Sequence, residues 1–208
     1  MPPKVKFKKE TIIDAAFNVV RKNGWQELSA RSIAKELNSS TGPIYSHLNS
    51  MKNLEEEVIR KAMALFTEYV IKPRTGDKWI DHGIGYVFFA RDEKHLFKAI
   101  NDEKRVSLLK KFSSKIWEKL GEELSDYPLF KDSPADTGIK IRRVRWIFVH
   151  GLASLITNSF QFDRIKTDED LIELIRNSSI LLYRGMKNSP ELADDSQKIE
   201  LNGEYTNE

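Results

Sequence analysis

The chain has 208 residues, no cysteine and a formal net charge of +3, with hydrophobic residues at 40% and charged residues at 31%. That length suits one body or a small head on a larger domain, and eleven Phe with four Trp supply a sizeable core. The lack of cysteine excludes a disulfide framework and thiolate metal ligation, and no apolar run approaches the roughly 18 residues of a membrane span. The basic start MPPKVKFKK has no apolar stretch of the kind a secretory signal needs, so a soluble cytoplasmic protein is expected.

Charge is unevenly spread. Residues 1–50 hold eight Lys/Arg against four Asp/Glu, a net of +4, while residues 188–208 hold six acids against Lys198, a net of −5. A basic head is the electrostatic footprint of a nucleic-acid reader. The arm Lys4, Lys6, Lys8 and Lys9 is either a solvated tail or a phosphate contact. The acidic stretch 188–208 is too polar to bury a core and is expected to be disordered.

In chain order, the first predicted helix runs from about Glu10 to Asn23, with Ile13, Ala16, Phe17 and Val20 inward and Asn23-Gly24 as a left-handed cap. Trp25 and Leu28 are expected to pack beneath the next two helices. Ser29 caps the first of these, a short helix whose Ala30, Ile33, Ala34 and Leu37 fall at i, i+3, i+4 and i+7. Asn38-Ser39-Ser40 then favours a turn. A second short helix carries Pro43 in its first turn and turns Ile44 and Leu48 inward. Two short helices about a tight turn make a helix-turn-helix, whose second helix enters a DNA major groove. That helix presents Tyr45, Ser46 and His47, with Ser40 and Thr41 at its start. Small hydroxyls there suit phosphates, and an exposed tyrosine reaches a phosphate or a thymine methyl. Spacing alone equally allows a plain helical hairpin with a surface tyrosine.

The run from Thr11 to Leu54 resembles the N-terminal domain of the tetracycline-repressor (TetR) family. The matching features are Ala15 and Ala16, Gly24, Ile33-Ala34-Lys35-Glu36-Leu37, Ser40-Thr41-Gly42-Pro43-Ile44-Tyr45, His47-Leu48 and Ser50-Met51-Lys52-Asn53-Leu54. Leu48 stands where the family usually has Phe, and Asn38-Ser39 replaces a common Gly-Val turn. The resemblance implies DNA contacts from Arg31, Ser40, Thr41, Gly42, Pro43, Tyr45, Ser46, His47 and Lys52. It places a DNA-binding domain at 1–50, a ligand-binding and dimerisation domain at 51–187 and a tail at 188–208.

Ser50 caps a fourth helix that reaches about Ile71, where Lys72-Pro73-Arg74-Thr75-Gly76 stops it. Helical pattern continues at 78–90, 94–101 and 104–125, and Tyr127-Pro128 breaks it. Ser133-Pro134 restarts a helix over 134–160, and Thr167-x-x-Asp170 is a capping-box pattern opening a last helix at 168–186. The fold class is all-α.

No nucleophile signature, glycine-rich phosphate loop or carboxylate pair stands out, so no catalytic residue and no cofactor are expected. Asp92-x-x-His95 has metal-ligand spacing but occurs once, where helical di-metal sites need it twice, so no metal is expected. Most of the aromatics of the second domain must be core. Phe88, Phe112, Trp117 and Trp146, with His150, are the residues expected to line a pocket. His150-Gly151 admits a pocket reading or a close helix contact, and in the family the last two long helices form a dimer bundle. Phe148, Gly151, Leu152, Leu155 and Leu174 are therefore expected at a homodimer interface. Arg142, Arg143 and Arg145 are either solvated surface or a site for acidic groups.

The resemblance implies a homodimeric transcriptional regulator, a repressor by expectation, that binds a palindromic double-stranded operator and is released by a small-molecule effector, with no membrane partner. The competing expectation is a helical carrier or enzyme with an incidental N-terminal hairpin.

Overall fold

A computed structural model describes residues 7–47, 50–128, 130–131, 135–158 and 165–188. Among them the chain forms nine α-helices: α1 (Lys9–Asn23), α2 (Ala30–Glu36), α3 (Gly42–His47), α4 (Met51–Ile71), α5 (Lys78–Asp92), α6 (Lys94–Ile100), α7 (Val106–Glu122), α8 (Ala135–Thr157) and α9 (Asp168–Asn188). Single 3-10 turns at Trp25–Glu27 and Glu103–Arg105 precede α2 and α7. The second of these falls where the sequence pattern puts the start of α7, because the Asp102 carboxylate accepts from the Lys104 amide and tightens that turn. No described helix is long and apolar enough to cross a membrane.

Short-range polar chemistry sets most of the helix ends. Ser29 Oγ accepts from the Ser32 amide at 3.2 Å while Ser32 Oγ accepts from the Ser29 amide at 3.0 Å, a reciprocal box that satisfies two orphan donors of α2. Ser50 caps α4 through the Asn53 amide at 3.1 Å. Thr167 and Asp170 cap α9 reciprocally at 2.9 and 3.1 Å. Each such cap contributes about 1 kcal/mol. The Ser133-Pro134 restart lies outside the described residues.

α2 ends in a Schellman turn: the Ser39 amide donates to Ala34 O at 2.8 Å and the Asn38 amide to Lys35 O at 3.1 Å. This needs a left-handed residue, and Asn38 supplies it with φ 49. Asparagine tolerates that conformation better than other residues with a Cβ, which accounts for Asn in the place of the expected glycine. Gly24 departs from the left-handed cap expected of it. At φ 93 and ψ 169 it occupies an extended positive-φ region that is essentially glycine's alone.

α5 is the hub. Trp79, Ile84, Val87, Phe89 and Ala90 on it are almost wholly buried, and α4, α6, α8 and α9 all pack on it. Its approach to α4 is so close that a Cβ on Gly85 would stand 2.1 Å from the backbone oxygen of Tyr69. The Trp79 indole donates to Ser179 O on α9 at 3.3 Å, and Thr157 Oγ1 on α8 donates to Ala90 O at 3.2 Å.

The N-terminal helices share one continuous apolar core with the rest. α1 buries Ile12, Ala15 and Val19 beyond the four residues expected inward, because it packs on α2, α4 and α6 at once. Arg21 on α1 makes a two-point ion pair with Glu93, which is 4% exposed at the start of α6. The Trp25 ring packs on the core and carries the Arg105 guanidinium 4.1 Å above its centre, toward α7.

Candidate functional site

Two regions carry chemistry, at opposite ends of α4. At the first, α2 and α3 pack through Ile33, Ala34 and Ile44, all buried. Tyr45 follows Ile44 by one residue, about 100° around the helix, and is 67% exposed. Ser40, Gly42, Arg31 and Lys52 are exposed around it, with Thr41 and Pro43 half-buried. Thr41 O accepts from the Ile44 and Tyr45 amides at 3.1 and 3.3 Å and so opens α3. Ser46 and His47 lie on α3, their side chains outside the described residues, as is Leu48.

Charge in this region sorts by position. Arg21 is bonded to Glu93, Lys22 to Glu36 at 2.6 Å, and Lys61 to Asp14. Arg31, Lys35 and Lys52 are exposed and pair with no acid among the described residues. Cations without an acidic partner among the described residues thus lie on α2 (Arg31, Lys35), at the start of α4 (Lys52) and at the start of α1 (Lys8, Lys9).

The second region is a cavity of about 680 Å³ bounded by α4, α5, α7, α8 and the end of α6. Met63, Phe66 and Val70 of α4 form one wall, Trp79, His82 and Tyr86 of α5 a second. Trp117 from α7 and Trp146 from α8 complete the aromatic lining. α7 keeps none of its residues fully buried: it packs on α4, and Ile116, Trp117 and Leu120 of its apolar stripe line this hollow. His150 stands just behind the wall, hydrogen-bonded through Nδ1 to the Tyr86 hydroxyl at 2.8 Å and stacked on Trp146 at 5.0 Å. Burial holds the His150 pKa below its usual value and the Tyr86 pKa above its own, so both are neutral near pH 7.

The three clustered arginines are divided by depth. Arg143 is exposed and Arg142 half-buried, but Arg145 is only 6% exposed. Its guanidinium sits 3.8 Å above the Trp79 ring, and both terminal nitrogens are buried with no hydrogen-bond partner among the described residues. Burial pushes its pKa down to about 9, which leaves it charged at neutral pH. His82 beside it is pushed down to about 4, first by burial and then by the Arg145 charge.

Of the residues expected at a pocket, Trp117 and Trp146 line this cavity and His150 backs it. Phe112 lines a separate hollow of about 320 Å³ between α4 and α7. Phe88 lies elsewhere, under the guanidinium of Arg91 at 4.2 Å. Trp79, His82 and Tyr86 are pocket residues that the sequence pattern does not single out, and Arg145, read there only as one of an arginine cluster, joins them. The signal that points there is Gly83 inside a helix, which costs about 1 kcal/mol against alanine unless something must come close, here the Arg145 guanidinium. At the expected interface, Gly151 is exposed with open space around it and Leu155 is exposed, while Phe148 and Leu174 are half-buried. Leu152, also expected there, is 6% exposed and packs in the apolar core.

These helices make an all-α protein with a helix-turn-helix packed against a larger helical body that carries a cavity open to solvent. No family model matches the sequence, and no curated protein does. Among solved structures, a protein with unknown function from Rhodococcus sp. RHA1 superposes with a TM-score of 0.63 at 18% identity, covering 89% of this chain and 98% of that one. A TetR-like transcriptional regulator from the same organism superposes with a TM-score of 0.60 at 16% identity, covering 90% and 98%. The fold is TetR-like.

Proposed function

We propose that the protein is a TetR-like transcriptional regulator of the cytoplasm that binds double-stranded DNA through α2 and α3 and answers to a small molecule held in the cavity. The observation that carries this reading is the recognition face itself. Ile44 is buried, Tyr45 beside it is 67% exposed, and Arg31 and Lys35 on α2 and Lys52 on α4 pair with no acid among the described residues. A monomeric head gains nothing by wetting a tyrosine there, whereas a phosphate or base edge gives it a partner. Arg31, Ser40, Thr41, Gly42, Pro43, Tyr45, Ser46, His47 and Lys52 form the DNA surface in this reading.

A homodimer is supported by a second surface. Val144, Ile147, Gly151 and Leu155 fall on one stripe of α8, and Ile147 is 59% exposed; Leu181 on α9 is 70% exposed. Large apolar side chains repeated on one face call for a covering partner, and a dimer would set two heads on the half-sites of a palindromic operator. The division of labour is residues 1–50 for DNA and 51–187 for ligand and dimer, with the acidic stretch beyond as a tail. α4 joins the two, its Lys52 end beside α3 and its Met63, Phe66 and Val70 at the cavity. An effector that prefers one setting of α4 shifts the population between DNA-competent and incompetent dimers, and release of a repressor is the direction proposed.

Selection of bound fragments from a genomic DNA pool, followed by fluorescence anisotropy across salt, tests this. Sequence-specific binding whose logarithm falls linearly with log salt is the expected result. A carrier or enzyme with an incidental hairpin gives no sequence-specific binding, and that outcome would overturn the reading.

A further inference from the structure

Four cations line the cavity, Lys110, Arg142, Arg143 and Arg145, and no Asp or Glu does so among the described residues. The imbalance is sharpest at Arg145. A buried charge with no hydrogen-bonded partner is strongly disfavoured, and such groups in folded proteins are normally paired. The nearest carboxylates are already engaged. Asp77 caps α5 through the Ile80 amide at 3.1 Å and accepts the Tyr127 hydroxyl at 3.1 Å. Asp81 accepts from the amides of Arg74 and Thr75 and from the Thr75 hydroxyl. The Trp79 face gives Arg145 some compensation, but a ring face satisfies none of its N–H donors in line.

The chain makes room for this cation deliberately. A Cβ on Gly83 would fall 2.5 Å from Arg145 Nη2. Gly121 repeats the device on α7, where a Cβ would overlap Arg142 Nη1 at 1.7 Å. Arg142 itself lies 5.3 Å over Trp117 and has no acidic partner among the described residues. Arg142 and Arg145 are one helical turn apart on α8, each laid against a cavity tryptophan. Two guanidinium groups set this way, with indole and phenol surfaces around them, match an oxyanion joined to an apolar or aromatic body.

We propose that the ligand of this cavity is an amphipathic oxyanion, a carboxylate or phosphate monoester on an aromatic or alkyl body, with the anion held by Arg142 and drawn by the buried charge of Arg145 behind the wall. This rests on the reading of the cavity as the effector site. A cationic or neutral apolar effector would leave these guanidinium groups uncompensated. The seat also separates ligands by head group, because the arginine fork takes two oxygens and a neutral amide offers one.

Matched probes test it by calorimetric titration into the full chain: 1-naphthylacetate against 1-naphthylacetamide, and decanoate against decanamide and decyl phosphate. The expected result is that each anion binds about tenfold or more tighter than its amide. Decanoate against decyl phosphate tells which oxyanion the seat prefers. Arg142→Gln, near the surface and without a structural bond, should cut the anion preference to within about threefold. Arg145→Met should abolish it while raising the unfolding temperature of the unliganded protein, because it removes an unpaired buried charge; a cation serving only as a strut would give a lower one. Equal binding of acid and amide, or no binding by any probe, overturns the proposal. DNA binding is read separately on the same protein. Specific DNA binding without anion preference sinks this inference alone; anion preference without DNA binding sinks the regulator and leaves an anion carrier.

Discussion

Tyr45 is the side chain whose removal most cleanly separates DNA binding from folding. With two-thirds of its surface in water, truncation to alanine forfeits about a third of the roughly 1.5–3 kcal/mol that full burial of a large side chain is worth. Alanine returns about half a kilocalorie through its helix propensity. The net change in stability is therefore within about 0.5 kcal/mol, and the midpoint of thermal unfolding should move by no more than about 2 °C in a chain of this size. Affinity should respond quite differently. A hydroxyl bonded to a phosphate contributes about 1 kcal/mol net, so Tyr45→Phe should weaken operator binding roughly fivefold. Tyr45→Ala also loses the ring's contact with the groove and should cost about 2 kcal/mol or more, close to thirtyfold. Fluorescence anisotropy on the selected operator, with a thermal melt of the same preparation, measures both numbers. If Tyr45→Ala lowers the melting midpoint substantially and loses affinity only in proportion, the ring is structural and the recognition face has been drawn on the wrong side of α3.

Lys52→Ala should weaken binding to specific and random DNA about equally and reduce the slope of log affinity against log salt by about one, as removal of a phosphate contact does; a loss confined to the operator contradicts that role. Gly85→Ala should destabilise the fold by about 3 kcal/mol or more in urea unfolding, because the new methyl meets backbone of α4 at 2.1 Å and no side chain can move aside; a change under about 1 kcal/mol would mean that α4 and α5 are not in such close contact. Ile147→Lys should reduce the light-scattering mass at micromolar concentration to that of one chain, since an obligate dimer interface hides on the order of 2,000 Å² of surface and a charge at its centre would be buried unpaired; an unchanged dimer places the interface elsewhere. His82 ties stability to pH. Its folded pKa of about 4 lies below the ordinary 6.5, through burial first and then Arg145 and Lys78 against the opposing pull of Asp81. The unfolded chain therefore takes up the proton first as pH falls. The stability present above about pH 6.5 is lost down to about pH 4, by roughly 2–3 kcal/mol for that shift. His82→Gln should lose correspondingly less stability between pH 7 and 4.5, and an identical acid profile would remove His82 as the cause.

Where the sequence could be read, the physics is local. The caps at Ser29, Ser50 and Thr167 join groups three residues apart, so a pattern of four letters contains both donor and acceptor. The turn at Asn38 is legible for the same reason, as a residue tolerant of left-handed backbone lies where the apolar stripe breaks. The inward turn of Ile44 and the outward turn of Tyr45 follow from helical period alone. Gly24 was legible as a helix stop but not in its conformation, because the chain's direction after it is set by packing: a Cβ there would stand 3.1 Å from His95 on α6, seventy-one positions further on.

The cavity belongs to the opposite case. Its walls come from five helices, and whether a given aromatic faces the hollow depends on the rotation of each helix, which a stripe of apolar letters constrains only coarsely. Phe88 and Trp79 show this: both sit on α5, yet Phe88 turns toward Arg91 and Trp79 toward the cavity. The arginine cluster shows it again. Arg142, Arg143 and Arg145 read as one patch in the chain, but successive residues on a helix point about 100° apart, so one is exposed, one half-buried and one sealed. What marked Arg145 as interior was not near it in sequence. It was Gly83, sixty-two positions earlier, the residue without a side chain against which its guanidinium lies. A glycine inside a helix and a charge inside a core are each unfavourable alone. Their contact here explains the glycine fully and the charge only in part, and the remaining part is what an anion in the cavity would supply.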